Sequence, residues 1–309
     1  MKLRIFVEPQ QGATYDDQLG AALVAEAAGF DAFFRSDHFL TIGGPPQPPG
    51  PTDAWITLGA LARETSTIRL GTLVTSATFR HPGLLAVAVA QVDQMSGGRI
   101  ELGLGAGWYD DEHRAAGVPF PPMTERFEIL EEQLSIITGL FHTSAPETFS
   151  FNGAHFELVD SPALPHPIQH GGIPIILGGG GPRRTPALAA RFADEFNTPF
   201  LQPPDAEAQF GRIRHACEAI GRDPASIRLS STVVVCCGED DATLERRAAA
   251  MGRELDELRA HGAAGSPAEV AERLAAYGQA GAEVLYLQIL DMGDHDHLRL
   301  LAAEVAPLL

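Results

Sequence analysis

Residues 68–104 read IRLGTLVTSATFRHPGLLAVAVAQVDQMSGGRIELGL, and this stretch contains two predicted strands with a helix between them. Ile68–Thr75 is rich in β-branched residues, which favours a strand. A helix is predicted over His81–Met95, because a proline suits its first turn and Ser96-Gly97-Gly98 provides a stop. Arg99–Leu104 predicts the second strand. The stretch is typical of a β-α-β unit, which joins two parallel strands.

The same alternation of strand and helix extends from this unit towards both ends of the chain. The predicted strands are Leu3–Val7, Asp31–Arg35, Ile68–Thr75, Arg99–Leu104, Ile173–Leu177, Glu195–Pro199, Ile227–Cys236 and Glu283–Leu290. The predicted helices are Thr14–Gly29, Asp53–Thr65, His81–Met95, Glu125–Leu140, Pro186–Ala193, Asp205–Ile220, Ala242–Leu258 and Ser266–Tyr277, followed by a helical tail through Pro307. Eight such alternations predict an α/β fold, a (β/α)8 TIM barrel with insertions on the C-terminal face of the strands.

Two segments depart from the alternation. Residues 43–51 are almost entirely Gly and Pro, and they follow the second strand, so we expect them on the face where barrel active sites are built. Residues 142–172 carry alternating apolar side chains around Asn152-Gly153, which indicates a hairpin. We interpret this segment as an insertion in a single domain of residues 1–309, because it is too short to have a core of its own.

Composition and charge limit the function classes. Of the 309 residues, 45% are apolar and 20% are charged, as in ordinary globular proteins. The net charge of −18, from 22 Lys+Arg against 40 Asp+Glu, argues against nucleic-acid or anionic-membrane partners. The three cysteines, two of them adjacent, predict a reduced, cytoplasmic protein. No apolar stretch reaches about 18 residues, so no transmembrane helix is expected.

Ser36-Asp37-His38 follows the second strand and is the first candidate for chemistry. A His beside a carboxylate at the C-terminal end of a barrel strand is suited to acid/base catalysis. The alternative is a turn Asp followed by an exposed His, and the tripeptide alone does not separate the two.

Two glycine-rich stretches are candidates for ligand binding. Gly178-Gly179-Gly180-Gly181 is followed by Pro182-Arg183-Arg184-Thr185, so backbone N–H groups, a helix N-terminus and Arg183 predict a phosphate site; the alternative is a flexible turn. Gly103–Trp108 is not a dinucleotide-binding pattern, because its third glycine falls one residue early. Gly105 and Gly107 instead favour the close approach of a flat ring, with Trp108 and Tyr109 as walls.

No metal site is predicted. Asp110-Asp111-Glu112-His113 has no known ligand spacing and is interpreted as a solvated helix start. The cluster Asp294–His297 is interpreted as the cap of the last helix. The sequence has neither a Gly-x-Ser-x-Gly elbow nor a Walker loop.

These segments together resemble the bacterial luciferase-like superfamily of flavin and deazaflavin oxidoreductases, and in particular its branch dependent on coenzyme F420, a 5-deazaflavin. The resemblance runs nearly end to end. It is carried by Asp31–Phe39, Arg69–Thr75, Arg80-His81-Pro82, Ser96–Arg99, Gly103–His113, Phe120–Phe127 and Ile175–Thr185.

The resemblance implies a role for each matching residue. Asp37 and His38 match the pair beside the deazaflavin ring, where the His exchanges a proton with substrate. Leu73-Val74, with Thr75 following, matches a bulge that holds a non-prolyl cis peptide behind the ring. Gly105 to Tyr109, including Gly107 and Trp108, matches the ring-flanking loop, and Gly178–Gly181 the phosphate-binding backbone. Related sugar-phosphate dehydrogenases place a carboxylate near the position of Trp108 and basic groups for the substrate phosphate. Neither is clear here, which weakens the case for a sugar-phosphate substrate.

The resemblance therefore implies reversible hydride transfer between F420 and a small organic substrate. His38 would exchange the proton, held by Asp37, with Glu8 or Gln10 as polar contacts and with Trp108, Phe39 and Phe79 as apolar walls. Two alternatives stay open, an FMN-dependent luciferase-like monooxygenase and a non-catalytic flavin-binding relative. A small-molecule substrate is expected, with a homodimer as one available assembly.

Overall fold

The computed structural model describes residues 1–309 and shows a closed barrel of parallel strands surrounded by helices. We number the barrel strands β1–β8 along the chain. They are β1 (Lys2–Val7), β2 (Ala32–Arg35), β3 (Arg69–Thr72), β4 (Ile100–Gly105), β5 (Ile175–Gly178), β6 (Glu195–Pro199), β7 (Arg228–Cys237) and β8 (Val284–Ile289). Each strand pairs with the next, and β8 pairs with β1 from Lys2↔Val284 to Val7↔Ile289, which closes the cylinder. The predicted (β/α)8 barrel is confirmed.

The helices lie outside the barrel and connect successive strands. They are α1 (Tyr15–Ala27), α2 (Ala54–Glu64), α3 (Pro82–Ser96), α4 (Asp110–Ala116), α5 (Met123–His142), α6 (Arg184–Phe192), α7 (Pro203–Ala219), α8 (Asp241–Ala250), α9 (Leu255–His261), α10 (Pro267–Gln279) and α11 (His295–Leu300). Several begin at side-chain caps that the sequence displays. Thr14 and Asp17 form a capping box on α1, Asp53 accepts from two amides of α2, and Ser266 and Glu269 cap α10. No helix is both long and apolar enough to cross a bilayer.

Three local features differ from the sequence predictions. The single helix expected over 242–258 is two helices, α8 and α9, because Gly252 adopts a left-handed φ of 66° between them. A short strand, Ala263–Gly265, pairs beside the end of β7. The third predicted strand is interrupted at Leu73-Val74, after which Thr75–Ser76 pairs with β4.

The segment 142–172 contains the expected hairpin, with strands Phe149–Asn152 and Glu157–Ser161. It packs along the outside of α5 and α3 and does not line the cavity described below. Glu132 of α5 accepts hydrogen bonds from the amides of residues 154–156, and Phe156 packs against His81 at the start of α3. The segment begins after α5, at the N-terminal ends of the strands, so it is not inserted on the C-terminal face as predicted, although its hairpin extends along the helices as far as the start of α3.

The barrel interior is filled below its C-terminal end. An apolar cluster of Phe6, Ala32, Phe34, Ile176, Val284 and Tyr286 occupies the middle, with Leu73 packed against it. Towards the N-terminal end, buried Arg4 donates to Glu101 at 2.7 Å, to the Tyr286 hydroxyl at 2.7 Å and to Glu195 at 3.3 Å. Because this end is packed and its charges are paired, open space is left only above the cluster.

Candidate active site

A cavity of about 890 Å³ opens at the C-terminal ends of the strands. All eight strands or the residues directly after them contribute to its wall, which is where barrel enzymes place their active sites. The contributing positions are Glu8, Ser36, Asp37, His38, Leu73, Val74, Ser76, Gly105, Gly178, Asn197, Pro199, Thr232, Val234 and Gln288. Phe6 and Leu73 belong both to this wall and to the apolar cluster beneath, so the cluster forms the floor.

His38 lies on the cavity wall and pairs with Glu112, not with Asp37. Its Nδ1 is 3.0 Å from both carboxylate oxygens of Glu112, and the amide of Phe39 donates to the same carboxylate at 2.9 Å. The Glu112 side chain is 2% exposed and that of His38 is 15% exposed. Because a carboxylate only accepts, it favours the tautomer with a proton on Nδ1, which leaves Nε2 as a free acceptor.

Asp37 also lines the cavity, but its carboxylate is hydrogen-bonded to residues other than His38, so the expectation that it holds His38 is wrong. Its carboxylate accepts from Arg80 and, at 2.8 Å, from the hydroxyl of Thr75. Arg80 also donates to Asp53, the cap of α2, at 2.7 Å. Adjacent residues of an extended chain point in opposite directions, and here one faces Glu112 while the other faces Arg80.

The peptide bond between Leu73 and Val74 is cis, as predicted, and both side chains line the cavity. Thr75, predicted to contact the cofactor, lies behind the wall, where it is buried and accepts from the indole of Trp55 at 3.2 Å.

Glycines make room around this segment. A Cβ on Gly105 would lie 2.9 Å from Val74, and one on Gly107 would overlap the Ser76 hydroxyl. Gly107 also has a φ of 79°. Packing against Val74 and Ser76 therefore requires glycine at both positions, and the predicted ring site is walled by Gly105, Gly107 and the Leu73-Val74 side chains.

Trp108 and Tyr109 stack on each other, with ring centroids 5.2 Å apart. Trp108 lines the cavity and is 63% exposed, whereas Tyr109 lies outside the lining and donates to the carbonyl of Thr41 at 3.0 Å. Phe39 and Phe79, predicted as apolar walls, pack on each other outside the cavity. Of the two predicted polar contacts, Glu8 lines the cavity, while Gln10 is buried outside the lining and accepts from Ser36 at 2.6 Å.

Gly178–Gly181 forms one edge of the cavity just before α6. The carbonyls of Gly179 and Gly181 accept from Gln209, at 3.3 and 3.0 Å, so the loop is held in place from the outside. A Cβ on Gly180 would meet no protein atom within 4 Å, so this glycine leaves space in the cavity. Arg183 is exposed and lies off the wall, because it stands at the cap of α6 and turns to solvent.

Sequence reasoning missed several polar groups of the cavity. Glu112 and His113 were expected in a solvated helix start, yet both are buried within α4, at 2% and 0% exposure, and Glu112 lines the cavity. A short helix with one buried and one exposed side would have predicted this burial, but the side that is buried here carries polar residues, within a run of four, and so was not recognised as buried. A carboxylate, Glu112, thus lines the same cavity as Trp108, and both contact His38, which differs from the sequence expectation that no carboxylate lies there. Arg253, at the break between α8 and α9, was also missed.

The lining of the cavity carries charges as well as apolar groups. Burial raises the pKa of the Glu8 carboxyl above its usual range. Arg253 donates to Glu257 at 2.8 Å, and it is the sole Lys or Arg side chain in the lining. The lining therefore has more carboxylates than cations, so a phosphate bound in this cavity would depend on backbone N–H groups, such as those of the Gly178–Gly181 loop, rather than on basic side chains.

Comparison with known proteins agrees with this geometry. The family model described as luciferase-like monooxygenase matches residues 1–257. An F420-dependent glucose-6-phosphate dehydrogenase of Microbacterium testaceum is 34% identical over 62% of this chain, and the chain spans only 54% of that protein. The corresponding protein of Kineococcus radiotolerans is 30% identical over 93% of this chain and 91% of its own.

Solved structures share the fold at low identity. An F420-dependent secondary alcohol dehydrogenase in complex with an F420-acetone adduct superposes with a TM-score of 0.84, at 19% identity, over 99% of this chain and 98% of that one. A monooxygenase from Streptomyces bottropensis gives 0.81, at 22% identity, over 99% of each chain. The match to the family model covers most of the sequence, and the relatives at about 30% identity agree with it. The chain belongs to the luciferase-like monooxygenase family.

Proposed function

We propose that the protein is an oxidoreductase that transfers a hydride between coenzyme F420 and a small organic substrate. Three observations support this. The similar curated proteins are named as F420-dependent dehydrogenases. The cavity has one edge formed by Gly178–Gly181 and a wall formed by Gly105, Gly107 and the Leu73-Val74 side chains, which supports a phosphate at the first and a planar ring at the second. It also carries a histidine placed for proton transfer, and this last observation carries the proposal.

The residues of the cavity fit such a cofactor. Gly178–Gly181 would hold its phosphate through backbone N–H groups, and the Arg183 contact of the sequence prediction is not part of this proposal. Leu73, Val74, Gly105 and Gly107 would hold its ring, with Trp108 covering the mouth. When bound, F420 accepts or gives up a hydride at C5.

The proton moves through His38. For a substrate hydroxyl, the free Nε2 takes the O–H proton while the hydride leaves the adjacent carbon, so a carbonyl forms and the charges balance. The buried Glu112 carboxylate holds the ring by Nδ1 and stabilises the imidazolium that results. Asp37 supports the reaction indirectly, because its hydrogen bonds with Arg80 and Thr75 fix the backbone from which His38 projects.

Titration of the purified protein with F420 and with FMN in separate experiments tests the cofactor. We expect F420 to bind more tightly and to be reduced or oxidised by substrate in a single turnover. Tight binding of FMN with consumption of oxygen would replace the proposal with the monooxygenase alternative. Binding without turnover of any alcohol or carbonyl compound would favour a non-catalytic relative.

The organisation of the protein also belongs to this proposal. We infer one domain over residues 1–309 and a cytoplasmic location, supported by three free, buried cysteines. Assembly as a homodimer stays a prediction, and light scattering of the purified chain tests it.

A further inference from the structure

A chain of hydrogen bonds runs from the cavity wall to a buried histidine that the proposed reaction does not use. Ser76 lines the cavity, and its hydroxyl lies 2.7 Å from that of Thr78. The Thr78 hydroxyl lies 2.5 Å from Nε2 of His113, and Nδ1 of His113 lies 2.7 Å from the carbonyl oxygen of Tyr109. We call these three side chains, Ser76, Thr78 and His113, the relay.

The far end of the relay determines the direction of every hydrogen bond in it. A carbonyl oxygen only accepts, so Nδ1 of His113 carries the proton and donates to Tyr109. In a neutral imidazole Nε2 is then an acceptor, and the single proton of Thr78 goes to it. Since the Thr78 proton is donated to His113, the Thr78 oxygen accepts from Ser76, and the Ser76 hydroxyl donates its only proton to Thr78. Towards the cavity, the Ser76 oxygen can therefore act only as an acceptor.

The surroundings hold the relay in this state. His113 is fully buried, with the ring of Phe79 stacked at 4.7 Å and that of Phe120 at 4.4 Å. Neither ring nitrogen has a carboxylate within hydrogen-bonding distance, and an apolar site without a counter-charge favours a neutral group. Gly107 contributes space, since a Cβ there would overlap the Ser76 hydroxyl.

We propose that the relay makes Ser76 a dedicated hydrogen-bond acceptor for a ring N–H of the bound cofactor, with Thr78 and His113 as positioning residues. This inference rests on the proposed function in one respect, that a flavin-type ring occupies the cavity. Deazaflavin and flavin both carry an imide N–H in the pyrimidine part of the ring, so the inference applies to either. A hydroxyl that is free to rotate could donate or accept a hydrogen bond. The relay fixes Ser76 as an acceptor before the ligand binds, which lowers the entropic cost of ordering this hydroxyl on binding.

A double-mutant cycle on cofactor affinity tests the relay. Thr78→Val removes the central hydroxyl at nearly constant volume, Ser76→Ala removes the acceptor, and the third variant combines them. We expect each single variant to bind F420 about three- to tenfold more weakly by calorimetric titration, the range for one neutral hydrogen bond. In the Ser76→Ala background, Thr78→Val should have no further effect, because Thr78 acts only through Ser76. Thr78→Ser should restore the affinity.

The outcomes separate this inference from the proposed function. Independent, additive losses would mean that Thr78 merely supports the loop, and would overturn the relay, as would an unchanged affinity in Thr78→Val. An analogue methylated at the ring N–H should lose affinity for the wild type but little for Ser76→Ala, and equal losses would also count against the relay. If FMN binds in place of F420, the same double-mutant cycle is run with FMN, and additive losses would overturn the relay there too. If neither binds, both proposals fail.

Discussion

At the scale of single residues, the chemistry of the cavity depends on what each polar side chain is paired with. His38 has one nitrogen held by a buried carboxylate and the other free, whereas Asp37, its neighbour in the chain, has its carboxylate engaged with Arg80 and Thr75. The two residues of one dipeptide therefore have different roles, one that exchanges a proton and one that supports the backbone.

We expect His38→Ala to reduce turnover by about 10²- to 10⁴-fold, the contribution of a positioned proton-transfer group, with little change in F420 affinity. Steady-state kinetics and a binding titration on the same preparation measure both quantities. His215, whose side chain is 86% exposed on α7, provides the matched control, and His215→Ala should behave as wild type. Turnover near the wild-type value in His38→Ala would reduce this residue to a ring contact.

Glu112→Gln tests the carboxylate behind His38. A glutamine amide can donate to Nδ1, which would favour the tautomer with a proton on Nε2 and so block proton uptake there. We expect turnover from the alcohol side to fall by about 10²-fold, within the range for a proton-transfer group, while the protein stays folded. Kinetics in both reaction directions provide the measurement. A loss limited to substrate affinity would contradict the assignment.

At the scale of elements, several glycines are required because neighbouring strands approach each other closely. β3 and β4 lie so near each other that a Cβ on Gly103 would overlap the carbonyl of Thr72, and one on Gly71 would overlap that of Glu101. The loop Gly178–Gly181 differs, because it is open on the cavity side. The same residue type thus serves packing in one place and ligand access in another.

Gly103→Ala is therefore expected to destabilise the barrel, by about 3 kcal/mol in the free energy of unfolding, since an added methyl has no space between paired strands. Urea denaturation followed by circular dichroism measures it. Gly211→Ala is the control, because Gly211 lies within α7 with no atom within 4 Å of its would-be Cβ. That change should stabilise by about 0.5–1 kcal/mol. Equal stabilities of the two variants would show that the β3–β4 spacing relaxes freely.

Gly180→Val should have the opposite effect, lowering cofactor affinity without lowering stability. The new Cβ meets no protein atom within 4 Å, so we expect an unchanged melting temperature and a cofactor affinity lower by about an order of magnitude or more, the loss of roughly one charge-assisted contact. Thermal denaturation and F420 titration give the two readouts. Unchanged affinity would remove the phosphate from this loop.

At the scale of the whole molecule, the C-terminal helix is tied to the barrel through a buried histidine. Nε2 of His297, in α11, accepts from the amide of Cys237 at the end of β7 at 2.9 Å. Asp294, which caps α11, is held by Arg247 at 2.7 Å. Burial, helped by the positive charge of Arg247, lowers the pKa of His297 to about 4.

This pKa predicts how stability depends on pH. Between about 4 and the ordinary value of 6.5, the unfolded chain binds a proton at this position and the folded chain does not. The free energy of unfolding therefore falls as the pH decreases through that window, by on the order of 3 kcal/mol at its lower end. Urea denaturation between pH 7 and 4 should give a steeper decrease for the wild type than for His297→Gln. An NMR titration in which this ring becomes protonated near pH 6.5 would contradict the prediction even if the variant does not fold.

Much of the molecule follows from local sequence. Periodicity, caps and glycine stops act over a few residues, so the eight strands, most helices and the glycine loop before α6 could be predicted from the chain alone. The cis bond at Leu73-Val74 was predicted as well, from a resemblance rather than from a local rule. Boundaries failed where one residue decides them, as at Gly252, whose positive φ divides a helix that periodicity joins.

The partners of the polar side chains were decided only by the tertiary structure. Glu112 is 74 residues from His38, and Arg80 is 43 residues from Asp37, so no local pattern links them. Their pairing depends on barrel closure and strand register, which bring the strand ends to one face, and on the burial of α4 against that face. The sequence by itself determined which end of the barrel holds the cavity; only closure determined which side chains meet there, because hydrogen bonds and charge pairs form between groups that are near in space.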